Sequence, residues 1–315
     1  SLLQVLNARG AAPPVEVPLA YLTECTSDFD WTERGLGEGA FGRVFRGVDP
    51  VSGARFAVKK LKDELVRPGA DAEALAAMHR AAAREVQVLS RFRHPHIVSL
   101  LGFAFAGADR CLVYELLPRG ALDAALQDDG HAYELTWRVR VRVAAGVAKA
   151  LNYLHRGGGG DRCFHRDVKA ANICLHADLS PALIDCGLAK HIPAEAGGPQ
   201  TSTGGRFGTP GYMCPRYANG GAFDDKSEAY SFGIVLLELI TGEVQNQRRN
   251  LYTVFIEDEE EEVDDAFDGR AGEWPAAVMQ ELSALARNCL DKYKKRCSLQ
   301  AAWQRLVRLE REQCA

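Results

Sequence analysis

Between Asp71 and Ser90 an alanine-rich run carries Leu75, Met78, Val86 and Leu89 at helical spacing, which predicts a helix with one buried stripe. Pro95 ends that helix, and Ile97 to Leu101 restarts the chain as a strand. Upstream, two short β-rich runs, Arg43 to Val48 and Arg55 to Leu61, predict neighbouring strands. Beyond Gly120 the period changes. Leu135 to His155 is a long amphipathic segment, Ile234 to Ile240 reads as a buried helix, and Trp303, Leu306 and Leu309 form the core stripe of a terminal helix. Polar and proline-rich stretches separate these elements. Pro13, Pro14 and Pro18 make residues 1 to 20 an extended lead-in rather than a folded element, Gly157 to Gly160 is a connector, and Ala194 to Arg206 is too rich in Gly, Ser and Thr to pack as core.

Composition narrows the class. At 315 residues the chain exceeds the usual single core and suits two lobes around a cleft. A net charge of −4 and a pI near 6.1 give no reason to expect nucleic acid as a partner. Nine cysteines, spread without CxxC or Cys/His clustering, indicate neither a disulfide framework nor a zinc site and point to a reducing cytoplasm. No apolar run approaches the roughly 20 residues that span a bilayer. Glu257 to Asp265 holds eight carboxylates in nine residues and reads as a solvated loop, with the basic cluster Lys292 to Arg296 against it or facing water.

The chemistry concentrates in Phe164 to Asn172, FHRDVKAAN, and in Ile-Asp-Cys-Gly at 184 to 187. Transfer of a phosphoryl group from ATP leaves a protein little covalent work. It needs a carboxylate at the acceptor hydroxyl, cations on the phosphates and oxygen ligands for the metal. Asp167 would orient the hydroxyl and accept its proton, Lys169 would neutralise charge on the transferring group, and Asn172 and Asp185 offer the hard oxygens that Mg²⁺ prefers. Upstream, LGEGAFGRV runs from Leu36 to Val44, with Gly37, Gly39 and Gly42 freeing the backbone to approach phosphates. A strand follows rather than a helix, which argues against a dinucleotide-binding unit. Ala57 and Lys59, two apart, share a strand face, so a small residue would lie over a purine while the ammonium reaches phosphates. Glu85 on the following helix would pair with Lys59 and hold it in register.

Together these residues resemble the eukaryotic protein kinase superfamily over roughly residues 31 to 312. Within it the chain resembles the tyrosine-kinase-like group, nearest the interleukin-1-receptor-associated kinases, Pelle and plant receptor-like kinases. LSRFRHPHIVSLLGF, CLVYELLPRGAL, GTPGYMCP, KSEAYSFGIVLLELITG and IEDEEEEVDDAFD carry that narrower match. The resemblance implies an α+β bilobal fold, with a β-rich N-lobe at 31–117, a helical C-lobe at 118–312 and an N-terminal extension at 1–30. It places Leu36, Val44, Ala57 and Cys174 around the nucleotide, Tyr114 at the gatekeeper position, and Glu115 and Leu117 at a hinge whose backbone would bond adenine. It makes 194–206 an activation loop with Thr201, Ser202 and Thr203 as phosphorylation candidates, received by Arg166 with Lys190 assisting.

The implied function is a cytoplasmic serine/threonine protein kinase using ATP and Mg²⁺, acting on protein hydroxyls below an upstream receptor or adaptor, with no nucleic acid and no membrane span in this chain. Specificity for Ser/Thr is read from Lys169 and from Gly208-Thr209-Pro210, where Thr209 would bond Asp167 and Lys169. The alternative is a pseudokinase scaffold that binds nucleotide or partners. Four departures favour that alternative: Cys186 in place of phenylalanine, Cys174 in place of leucine, Glu228 in place of aspartate, and Arg216 in place of a glutamate that would pair with Arg296. The last would set two guanidinium groups facing each other unless they turn to solvent or find new carboxylates.

Overall fold

The computed structural model describes residues 13–39, 42–61, 72–107, 109–132, 134–157, 161–193, 206–246, 248–257 and 262–313, apart from the Ala74 side chain. Two compact units emerge, one built from the chain up to Arg93 with Val98–Leu117, the other from His94–Ile97 and the chain from Pro118 onward.

In the first unit the elements in chain order are β1 Val15–Glu16, α1 Leu19–Cys25, α2 Trp31–Arg34, β2 Gly35–Glu38, β3 Gly42–Val48, β4 Arg55–Leu61, α3 Ala72–Arg91, β5 Leu100–Ala106 and β6 Asp109–Glu115. The six strands form one sheet in the order β1-β5-β6-β4-β3-β2, antiparallel except for the parallel β1–β5 pair. Alternation in β4 sorts its faces: Phe56 and Val58 are fully buried on one, while Ala57 and Lys59 lie on the other. Phe56 and Val58 join Val17, Leu22, Cys25, Leu101, Ala104, Cys111 and Val113 in one core cluster.

For the described residues from Val15 onward, that cluster corrects the expectation that residues 1–20 form an extended lead-in rather than a folded element; residues 1–12 lie outside the described residues. Val15 and Glu16 pair with β5, and Pro18 stands at the N-cap of α1. Proline interrupts a helix interior but is tolerated at its start, so it begins α1 here. Leu22 and Cys25 then supply apolar area that the sheet needs on that face. A second correction concerns the strand expected at Ile97 to Leu101. The strand is Leu100–Ala106, and Ile97 makes only an isolated bridge to Leu183 inside the second unit. On α3 the buried stripe is Met78, Ala81, Ala82, Glu85, Val88 and Leu89, with Leu75 and Val86 only half-buried.

The second unit contains α4 Leu122–Gln127, α5 Asp129–Ala132, α6 Trp137–Arg156, β7 Arg162–Phe164, β8 Ile173–Leu175, β9 Pro181–Leu183, β10 Lys190–Ile192, α7 Pro215–Ala218, α8 Asp225–Thr241, α9 Ala276–Leu290 and α10 Leu299–Gln313. Two small antiparallel pairs, β7–β10 and β8–β9, frame the segment between them. Helix α8 starts at a capping box of Asp224 and Ser227 and stops at Gly242, φ +70°. Every residue from Ser227 to Thr241 is buried, so α8 is the axis around which α6, α9 and α10 pack. Buried Arg140 of α6 donates to the carbonyls of Leu135 and Leu239 and, at 2.6 Å, to Asp268. At the C-terminal helix Ala302, Leu306 and Leu309 are buried while Trp303 is half-buried. Of the basic cluster, Lys292, Lys294 and Lys295 are exposed and Arg296 is buried. In the acidic run residues 258–261 lie outside the described residues; Val263 is buried, and Glu262 meets Arg287 at 2.8 Å. No helix among the described residues is long and apolar enough to cross a membrane.

Candidate active site

In the first unit the polar chemistry stands on regular elements. Antiparallel register sets Val44 opposite Lys59, Lys59 opposite Leu112, and Ala57 opposite Tyr114. Directly opposed residues project to the same side of a sheet, so Val44, Ala57, Lys59 and Tyr114 share one face. Lys59 Nζ reaches Glu85 Oε2 at 3.2 Å, and the glutamate is 2% exposed rather than on an outer helical surface. Burial makes this pair costly to break from one side, typically about 3–5 kcal/mol.

The glycine run forms the turn between β2 and β3. Gly39 N–H donates to Gly42 O at 2.9 Å, while Ala40 and Phe41 lie outside the described residues. A Cβ on Gly42 would stand 2.4 Å from the Lys60 carbonyl, whereas one on Gly37 would meet nothing within 4 Å. Gly42 is therefore required by strand packing, and Gly37 leaves open space. Leu36 is exposed beside it. At the end of β6 the Glu115 N–H donates to Ser99 O and its side chain accepts from Ser99 N. A bond from Glu115 to a purine would thus fall to its carbonyl. Leu117 follows, half-buried.

In the second unit the polar groups lie on a loop between β7 and β8. Asp167 Oδ1 accepts from Thr209 Oγ1 at 2.7 Å, and Asp167 Oδ2 accepts from Asn172 Nδ2 at 2.9 Å and pairs with Lys169 Nζ at 3.1 Å. Lys169 Nζ also donates to Thr209 Oγ1 at 2.8 Å, closing a ring of acid, cation and hydroxyl. Asn172 Nδ2 holds the Asp167 carbonyl as well, which directs the amide oxygen away from Asp167. Asp185 adopts φ +61°, ψ +67°, a left-handed conformation rare outside glycine, and follows Ile184, whose N–H donates to Asn172 O at 3.0 Å. Asn172 and Asp185 are thereby brought next to one another. Cys174 on β8 is half-buried, and its burial pushes the thiol up to about 12. Thr201, Ser202 and Thr203 lie outside the described residues.

Long-range ties set the loop. Arg166 has φ +71°, and its N–H donates to Glu228 Oε1 of α8 at 2.7 Å. The other oxygen of fully buried Glu228 bonds His155 Nε2, so the residue that departs from the family pattern still anchors the loop, with a histidine filling the reach of its extra methylene. Arg166 Nη2 donates to Tyr217 OH at 3.0 Å, and its guanidinium lies over Phe207 and Phe223. Cys186 is fully buried in the turn after Asp185.

Of the alternatives open to Arg216 and Arg296, the facing pair does not occur. Arg216 turns outward, meets Asp224 at 3.4 Å and lies over the Tyr293 ring at 4.2 Å. Arg296 stays inside without a carboxylate among its described contacts, donating to Cys214 Sγ and the carbonyls of Lys226 and Asp291, with Tyr230 beneath it. Dispersed carbonyl dipoles and a ring face replace the ion pair.

Sequence reasoning missed His155, Tyr217 and the buried pair Tyr212–Glu238. Tyr212 OH donates to Glu238 Oε1, which also accepts from Gln245 N at 3.0 Å. Burial pushes the Glu238 carboxyl up to about 8, against those two bonds, which pull it down. Its signal was an acid inside the apolar run Ile234 to Ile240.

Residues 31–306 match the protein kinase domain family. The chain belongs to that family. Proteins of the family take ATP with a divalent metal as phosphoryl donor and proteins as acceptors. Among Arabidopsis thaliana relatives, a probable serine/threonine-protein kinase, PBL2, is 42% identical over 66% of this chain and 47% of its own length. Cysteine-rich receptor-like protein kinase 37 is 37% identical over 76% of this chain and 34% of its own, and the proline-rich receptor-like protein kinase PERK1 is 39% identical over 69% and 31%. The kinase chain thus spans a third to a half of the length of these curated relatives.

Proposed function

We propose that this domain transfers the γ-phosphoryl group of Mg-ATP to serine and threonine hydroxyls of proteins. The observation that carries the reading is Thr209 bridging Asp167 and Lys169. A hydroxyl-bearing residue already occupies the space between the acid that would receive a proton and the cation that would meet the phosphoryl group, which is the arrangement an incoming hydroxyl requires. We place the kinase domain at 31–312, with lobes at 31–117 and 118–312.

Each residue has a stated task. Val44, Ala57 and Tyr114 would border the purine on the sheet face that carries Lys59, with the Glu115 carbonyl and Leu117 N–H bonding adenine. Lys59, steadied by Glu85, would hold phosphate oxygens. Asn172 and Asp185 would hold the magnesium ion, and they fit it: a turned-away amide oxygen and a carboxylate are hard oxygen donors. When bound, that ion would neutralise charge on the phosphates. Asp167 would orient the acceptor hydroxyl and take its proton, and Lys169 would stabilise charge on the transferring group.

Arg166 would receive a phosphate placed on Thr201, Ser202 or Thr203, since its buried Nε has no hydrogen-bond partner among the described residues. A cytoplasmic location and an upstream receptor or adaptor are part of the same proposal. A buried, bonded Glu228 and an Arg216 paired at the surface weaken the case for a pseudokinase scaffold. Incubation of purified protein with γ-labelled Mg-ATP and mass mapping of phosphoserine and phosphothreonine tests the reading. Incorporation no greater than in Asp167→Asn overturns it.

A further inference from the structure

Cys289 near the end of α9 and Cys297 just before α10 place their sulfurs 3.3 Å apart, both as free thiols. Cys297 N–H donates to Asn288 O at 3.1 Å, which ties the backbone of one thiol to the neighbour of the other. The two sulfurs are unequal in access. Cys289 is fully buried, whereas Cys297 is half-buried beside exposed Ser298.

They are unequal in acidity as well. A bond from Cys289 is the main reason the Cys297 thiol lies below its ordinary value, and the Arg305 and Arg296 guanidiniums act in the same direction against the effect of burial. Cys289 is pushed well above its ordinary value, first by that same bond and then by burial. Arg305 is itself paired with Glu281 at 2.7 Å, and Arg308 lies 3.7 Å from the same carboxylate, so the positive field at Cys297 is partly offset. The outer sulfur has the thiolate character and the access; the inner one has the position of a resolving thiol.

We propose that Cys297 and Cys289 are a peroxide-sensitive dithiol that closes to a reversible disulfide. The Cys297 thiolate attacks one oxygen of hydrogen peroxide: an S–O bond forms, the O–O bond breaks, and the departing hydroxide takes a proton to become water. Cys289 then gives up its proton and attacks Cys297 Sγ, forming the S–S bond and expelling the sulfenic oxygen as a second water. Two thiols lose two electrons and two hydrogens in total, and peroxide is reduced to two waters. Closure draws the sulfurs from 3.3 Å toward about 2.05 Å. That shift falls next to Arg296, whose guanidinium holds Cys214 and the Lys226 and Asp291 carbonyls, so oxidation acts on a clamp within the helical unit.

Brief exposure of the purified full chain to hydrogen peroxide, followed by alkylation and peptide mapping, tests the proposal. The expected product is one Cys289–Cys297 linked peptide, lighter by two hydrogens and restored by dithiothreitol, formed before fully buried Cys163 or Cys186 reacts. Cys289→Ser should leave a sulfenic acid on Cys297 that a dimedone-type reagent captures, and Cys297→Ser should leave Cys289 unmodified. Unchanged alkylation of both wild-type thiols after peroxide, or preferential linkage to another cysteine, overturns the proposal. Should either serine variant fail to fold, the wild-type map alone decides.

Discussion

Lys59 and Asp167 are both charged groups assigned to one reaction, yet the chain positions them by different means. Lys59 stands on a seven-residue strand and Glu85 on a 20-residue helix, each with its side-chain direction set by the period of its element. Asp167 stands on a loop, next to a residue with φ +71°, and its neighbours Lys169 and Asn172 come from the same short stretch. Backbone period does not aim such a loop. Thr209 and Glu228, 42 and 62 residues from the groups they hold, do so through Asp167 and Arg166. A regular element orients chemistry locally, while a loop needs distant anchors.

Asp167→Asn presses hardest on that contrast. It keeps an acceptor for Thr209 but turns an amide toward Lys169 and Asn172 and removes the proton acceptor. Phosphoryl transfer should fall by roughly a thousandfold or more while cooperative unfolding persists. Initial rates and a denaturation curve check both halves, and near-normal turnover would break the assignment. Glu228→Ala tests the anchor itself. It strands the Arg166 N–H and His155 in a buried site, and should cost about 3 kcal/mol in chemical denaturation, with activity falling alongside.

Lys59→Met separates catalysis from packing in the first unit. Activity should fall about a hundredfold, and stability by a few kcal/mol because Glu85 is left buried. The double variant Lys59→Met/Glu85→Met should regain most of that stability and none of the activity. Recovery of both would mean that the pair serves only the fold.

Glu238 gives a pH signature. Its folded-state value of about 8 lies above the ordinary 4.5, so between those values the folded state binds more protons than the unfolded one. Stability therefore declines as pH rises through that window, by at most about 1.4 kcal/mol per pH unit from this group. Glu238→Gln should flatten the dependence, read as melting temperature from pH 5 to 9. A slope identical to wild type would remove Glu238 as its cause.

Arg216→Glu should have the smallest effect. A glutamate facing Arg296 would gain a new ion pair, but Arg216 is on the surface over Tyr293 and beside Asp224. Replacing it sets two carboxylates together, so stability should drop by up to about 1 kcal/mol, less at high salt. A rise in the denaturation midpoint would mean that a side chain at position 216 reaches Arg296.

Much of the fold was legible because strands β3 and β4, helix α3 and the mostly apolar stretch of α8 write their environment into a local period. Sequence also proposed candidate chemistry-bearing residues through their order and spacing, since phosphoryl transfer restricts which side chains can serve. It misjudged residues 15–20, because prolines suggested extension while the need of a sheet face for cover lay in strands β4, β5 and β6, far along the chain. It read Glu228 and Arg216 as damage because substitution was visible and accommodation was not. Sequence by itself determined which residues are candidates for the chemistry and which faces seek burial. Tertiary structure alone decided how Arg216 and Arg296 part, how His155 completes Glu228, and that Cys289 meets Cys297, because each depends on contacts between segments whose separation no local period encodes.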